Sequence, residues 1–184
     1  MPKNQSVYGE APKEEPVATH TLAIVADNEP GVLARILGLF AGRGYNIESI
    51  TAAEIDHARH LSRITLVVSG TKMVIEQIKN QLDRMVPVRQ VSDLTMEGPH
   101  VARELALIKV AGEGDKRIEA LRIADVFRAR VVDSTLSSFV FEITGSVEKI
   151  AAFVELMKPL GLVDVSRTGV AAISRGEQAI GDLD

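Results

Sequence analysis

Asn28-Glu29-Pro30-Gly31-Val32-Leu33-Ala34-Arg35-Ile36-Leu37-Gly38-Leu39-Phe40 opens an apolar helical pattern, and Arg43-Gly44-Tyr45-Asn46-Ile47-Glu48-Ser49 follows it. Pro30 fits a first helical turn, where its missing N–H costs no needed hydrogen bond. Backbone amides beside it stay available for a carboxylate. The stretch reads as a receptor for a small amino acid at a helix start, not as a catalytic centre.

Working outward, β-branched and apolar content predicts a strand over 21–26 before this helix, which is expected over 30–42. Two strands follow, 45–54 and 61–69, joined by a hairpin connection at 56–60. Residues 71–85 form a second helical pattern with Met73, Ile75, Ile78 and Leu82 along an apolar stripe, and 86–94 a further strand. The order is βαββαβ. It then repeats: strand 104–111, helix 115–129, strands 131–136 and 139–144, helix 147–160, and strand 162–166, extended by 170–173 after Arg167-Thr168-Gly169. Ser69-Gly70-Thr71 and Thr144-Gly145-Ser146 supply turn and cap chemistry at the same step of each unit.

The fold class is therefore α+β, with two ferredoxin-like βαββαβ domains, each packing two helices on one face of a four-stranded sheet. The expected division is a flexible tail at 1–18, a first domain at 19–95, a linker at 96–102 around Gly98-Pro99, a second domain at 103–175 and a tail at 176–184. An uncovered sheet face or edge needs solvent, a neighbour or another copy. A homodimer is the expected state, with the pairing edge left open.

Composition narrows the function. The 184 residues are 46% hydrophobic, enough for real cores, and 21 Lys and Arg against 25 Asp and Glu give a net charge of -4. That balance, without an aromatic and basic sheet motif, argues against nucleic acid as a partner. No Cys is present, which removes disulfides and thiol chemistry. Residues 1–20 lack the apolar centre of a signal peptide, and later apolar runs fall short of a membrane span, so a soluble cytoplasmic protein is expected. His20, His57, His60 and His100 have no metal-ligand spacing, Asp56 beside His57 lacks a nucleophile, and Gly42-Arg43-Gly44 and Gly112-Glu113-Gly114 do not form a dinucleotide or phosphate loop. Gly112-Glu113-Gly114 reads as a turn, with Asp115 suited to cap the helix after it. Phe40 and Tyr45 read as packing anchors, and Arg35 and Arg43 as surface or structural cations. An enzyme would need a paired catalytic constellation, and the sequence offers none.

The run from Asn28 to Phe40, with Arg43-Gly44-Tyr45-Asn46-Ile47-Glu48-Ser49, resembles the small regulatory subunit of acetolactate synthase, also called acetohydroxyacid synthase. The resemblance continues through Val101-Ala102-Arg103-Glu104-Leu105-Ala106-Leu107-Ile108-Lys109-Val110 and Ser166-Arg167-Thr168-Gly169-Val170, covering roughly 19–175. It implies that the first domain is an ACT domain and that the protein is a non-catalytic homodimer through its ACT domains. It further implies activation of a separate large catalytic subunit and feedback inhibition by branched-chain amino acids, chiefly valine. Thiamine diphosphate, Mg and FAD would sit on that catalytic partner, with no cofactor in this chain. The family's effector positions map to Asn28 and Gly31 of one protomer and to Asn46 and Ile47 of the partner subunit. Glu29, Pro30, Val32 and Leu33 complete the same turn, Pro30 standing at a variable place in it. The competing reading is a standalone branched-chain amino-acid sensor acting on another partner, which the match of the second domain disfavours.

Overall fold

Leu22-Ala23-Ile24-Val25-Ala26 is a continuous apolar run, and it becomes the centre of β1 (Ala18–Asp27), buried on both faces. In the computed structural model, which describes residues 15–177 with 179 and 180, this strand is followed by α1 (Val32–Ala41), β2 (Ile47–Asp56), β3 (Leu61–Gly70), α2 (Lys72–Asp83) and β4 (Val88–Asp93). The sheet order is β2-β3-β1-β4, which leaves β2 at an edge. Val32, Ile36 and Phe40 of α1 and Ile75, Ile78 and Leu82 of α2 pack on Leu22, Ile24, Ile64 and Leu66 of the sheet. Met73, expected on that stripe, is instead exposed; Val74 packs in its place, because the buried arc of α2 runs through 75, 78 and 82.

A single helical turn, α3 (Leu94–Glu97), leads to β5 (His100–Ala111), α4 (Gly114–Val126), β6 (Arg130–Ser134), β7 (Ser138–Gly145), α5 (Val147–Gly161), β8 (Leu162–Arg167) and β9 (Ala171–Ser174). The second sheet runs β6-β7-β5-β8, the same order as the first. Its core centres on Phe153, tilted against Phe127 at 5.4 Å and edge-on to Phe141 at 6.0 Å between ring centroids. The echo at 69–71 and 144–146 is a pair of helix caps: the Thr71 side chain accepts from the Val74 amide, and the Ser146 side chain from the Lys149 amide. Asp115 lies in the first turn of α4 rather than at its cap position, which Glu113 occupies without a side-chain cap bond.

The last strand is not one extended piece. β8 pairs with the end of β5 over Ala106 to Val110, whereas β9 pairs with its start, His100 to Arg103. Between them Gly169 takes φ +83, a conformation that turns the chain from one pairing to the other. This bent strand segment covers the second face of the first sheet: Val170, Ala172 and Ile180, with Leu94, bury Ala23, Val25 and Val67. That face is thus covered within the chain over β1, while its β2 side at Ala53 and Ile55 stays exposed. Within 96–102, Met96 and Glu97 belong to α3 and His100 to Ala102 to β5, so Gly98-Pro99 alone lies outside both elements. Of the expected tails, residues 1–14, 178 and 181–184 lie outside the described residues. No helix among the described residues is long and apolar enough to cross a membrane.

Candidate functional site

The helix at the Asn28 turn starts two residues later than the sequence pattern predicts, because Gly31 takes φ 86 and ψ -2 and stands as its N-cap. The Val32 amide donates to the Glu29 carbonyl at 3.2 Å, closing a β-turn over 29–32. Pro at the second place and a left-handed Gly at the third are what a type II turn requires. Pro30 is therefore a turn residue outside the helix, not a first-turn helical residue. The first helical bond runs from the Arg35 amide to the Gly31 carbonyl at 2.9 Å. Among the described residues the amides of Gly31, Leu33 and Ala34 have no acceptor, and no side chain caps the helix. Unfilled donors and the helix dipole make this end a seat for an anion.

Asn28 is held at both ends. Its amide donates to the His60 carbonyl at 2.5 Å, tying the turn to the β2–β3 connection, and its Nδ2 donates to Glu54 Oε1 at 3.1 Å. That leaves Asn28 Oδ1 as an acceptor. The other Glu54 oxygen, Oε2, faces His57 Nδ1 at 3.2 Å. The hydrogen bond to His57, and after it the one from Asn28, holds the Glu54 carboxyl below the ordinary carboxylate value. Asn28, Glu29, Gly31, Val32 and Leu33 line one cleft with Ala52, Ala53 and Glu54 of β2 and with Ser62 and Ile64 of β3; its volume is about 240 Å³. This is smaller than the roughly 300–1,000 Å³ of clefts for drug-sized ligands. The lining combines helix-start donors, a carboxylate, a side-chain carbonyl acceptor and small apolar groups. It suits a small zwitterion with an apolar side chain.

Glu29 itself points along the helix toward Arg35, whose Nη2 lies 3.7 Å from Glu29 Oε2, so its carboxylate is engaged on the surface. Asn46 is exposed and Ile47 packs partly on the core of the first sheet. Neither lines the cleft. Ile47 begins β2 and Asn46 precedes it, while Ala52 to Glu54 lie near its end, roughly 20 Å away at about 3.3 Å per residue. Phe40 and Tyr45 meet edge-on at 6.2 Å, as packing anchors do. Sequence reasoning missed Glu54, whose signal is only a register: it lies on β2 two residues beyond Ala52, on the same face. A larger cleft, about 530 Å³, lies on the other face of β2 between Ala53, Ile55 and Ile173. It is lined mostly by apolar groups, and it lacks the helix start and the carboxylate that fit the smaller cleft to a zwitterion.

A βαββαβ unit with an amino-acid-sized cleft at its first helix start is a regulatory module of the ACT type. Residues 22–90 match the family described as the AHAS small subunit-like ACT domain, and residues 103–176 the family described as the small subunit of acetolactate synthase. The chain is 43% identical to the probable acetolactate synthase small subunit of Archaeoglobus fulgidus over 86% of its length and 98% of that protein's. It is 46% identical to the acetolactate synthase small subunit of Aquifex aeolicus over 86% of this chain and 82% of that one. The crystal structure of the acetolactate synthase small subunit from Thermotoga maritima superposes with a TM-score of 0.79 at 34% identity, covering 88% of this chain and 99% of that one. The chain belongs to the acetolactate synthase small-subunit family, the non-catalytic regulatory subunits of branched-chain amino acid biosynthesis.

Proposed function

We propose that this chain activates an acetolactate synthase large catalytic subunit and makes it subject to feedback inhibition by valine. The observation that supports the effector most is the 240 Å³ cleft that an uncapped helix start shares with Asn28 and Glu54. The valine carboxylate sits on the Gly31 and Leu33 amides, its ammonium near Asn28 and Glu54, and its isopropyl group against Val32, Leu33 and Ala52. Thiamine diphosphate, Mg and FAD belong to the catalytic partner. This chain contributes no group to the chemistry and acts through a coupling of binding free energies.

The site is completed by a second copy. β2 is a ten-residue strand at a sheet edge with no Pro or Lys to block it. Antiparallel pairing of two β2 strands about a two-fold axis near Ile50 places Asn46 and Ile47 of the partner subunit beside Glu54 and Ala53 of the first. The cleft then holds residues 28–33 from one protomer and 46–47 from the other. Residues 19–95 bind effector and dimerise, residues 103–175 strengthen assembly with the large subunit, and 96–102 join them. Titration calorimetry of the full-length chain with valine, leucine and isoleucine tests the reading: valine binds, and loss of all three signals would remove the effector assignment.

A further inference from the structure

We propose that Ser49, Thr51 and the Gly169–Val170 peptide form the joint through which ligand occupancy in the first unit reaches the second; this rests on the effector reading above. Val170 lies between β8 and β9, is buried, and finds no backbone partner for either of its main-chain polar groups. Two side chains of β2 satisfy both. Ser49 Oγ accepts the Val170 amide at 2.8 Å, and Thr51 Oγ1 donates to the Val170 carbonyl at 3.0 Å. Buried main-chain groups left unpaired are costly, so these two contacts fix where the second unit meets β2.

Alternation along β2 makes the joint two-sided. Ser49 and Thr51 point to the face covered by the β8–β9 turn, while Ala52 and Glu54 point to the face that lines the effector cleft. A displacement of one strand is felt on both sides. Gly169 sharpens the fit: a Cβ there would lie 2.7 Å from Ser49 Oγ and 3.1 Å from the Ile50 carbonyl oxygen, at a φ of +83. On the far side, the Leu105 amide donates to Thr168 Oγ1 at 3.2 Å, and Arg167 Nε donates to buried Glu104 at 2.8 Å. The turn is thereby fastened to β5, the central strand pairing of the second unit. Beside the joint a cleft of about 430 Å³, lined by Glu48, Val67, Val147 and Arg167, leaves room for the second unit to shift when β2 moves. Ser49 and Gly169 are positioning residues in this account, touching no ligand.

The test uses the full-length chain as Ser49→Ala and Gly169→Ala variants, reconstituted with its large subunit. Calorimetry should give a valine Kd within about twofold of wild type, while the valine concentration for half-inhibition rises about tenfold or the inhibition becomes incomplete. Ser49→Ala is the milder change and keeps the test valid if Gly169→Ala fails to fold. Wild-type inhibition in folded Ser49→Ala overturns the joint, and so does a matching loss of valine binding, which would make Ser49 part of the ligand site. A wild-type holoenzyme indifferent to valine would refute the function proposed above instead. Amide hydrogen exchange without ligand then decides the joint alone: faster exchange in Ser49→Ala must extend both to 51–55 and to 105–107. Exchange confined to 168–171 overturns it.

Discussion

Gly31→Asp and Gly31→Ala separate the fold role of this glycine from its ligand role. Gly31 has φ 86, and a Cβ built there meets nothing within 4 Å, so a substitution has no clash to relieve. The penalty is conformational, about 1–2 kcal/mol for an L-residue held in the left-handed region, with Asp at the lower end because it tolerates that region better. For a domain pair of this size that lowers Tm by roughly 2–8 °C. Both variants should therefore fold, dimerise and activate the large subunit. They part at the ligand. Alanine adds a methyl in open space and should leave the valine Kd within about threefold. Aspartate adds a second negative charge where the carboxylate docks; at about 4 Å the repulsion is on the order of 1–4 kcal/mol between the dielectric of water and an effective value near 20. Binding should weaken at least about fivefold. Calorimetry with a thermal melt of the same samples reads both numbers. Folded Gly31→Asp with wild-type affinity would refute carboxylate docking at this turn, and an equal loss in Gly31→Ala would show that shape, not charge, is what the turn excludes.

Glu54→Gln keeps the Asn28 contact but removes the charge facing the ammonium; valine affinity should fall about five- to tenfold with dimerisation unchanged, measured by calorimetry and sedimentation. The pH profile follows from the same carboxylate. Its pKa lies below the ordinary 4.5, so its contribution is present above that value and is lost as pH falls through the lowered pKa. Valine affinity should accordingly stay level between about pH 8 and about pH 5. A decline centred near neutrality would assign the ammonium contact to another group. Glu104→Gln breaks a pair in which Glu104 is buried and Arg167 is partly exposed and has its pKa raised chiefly by that hydrogen bond. Solvent at the Arg167 end limits the cost to about 1–2 kcal/mol in urea unfolding.

The element order was legible because several elements follow a clear period: 3.6 in α2, near-continuous burial in β1, and alternation in β5. The start of α1 was not, since a Pro next to Gly suits both a first helical turn and a type II turn, and only the φ of Gly31 distinguishes them. Residues Asn28, Glu29, Gly31, Val32 and Leu33 line one cleft, whereas Pro30, Asn46 and Ile47 are not among its lining residues. Glu54 was invisible because its role depends on β2 pairing with β3, a contact no local pattern encodes. The buried pair His20 Nδ1 and Asp93 Oδ2, 2.7 Å apart, was equally hidden: 73 residues separate them, and strand register alone brings them together. The covering of the first sheet by Val170, Ala172 and Ile180 has a practical consequence. A fragment ending at Thr95 bares Ala23, Val25 and Val67, so point variants at the joint dissect the two units better than truncation does.

Acetolactate formation by the matching large subunit, titrated with this chain in the presence and absence of valine, measures the central claim. The account predicts no activity from this chain alone, a saturable rise in large-subunit activity as it is added, and suppression of that rise by valine. An active large subunit whose rate neither increases with this chain nor responds to valine in its presence would contradict it.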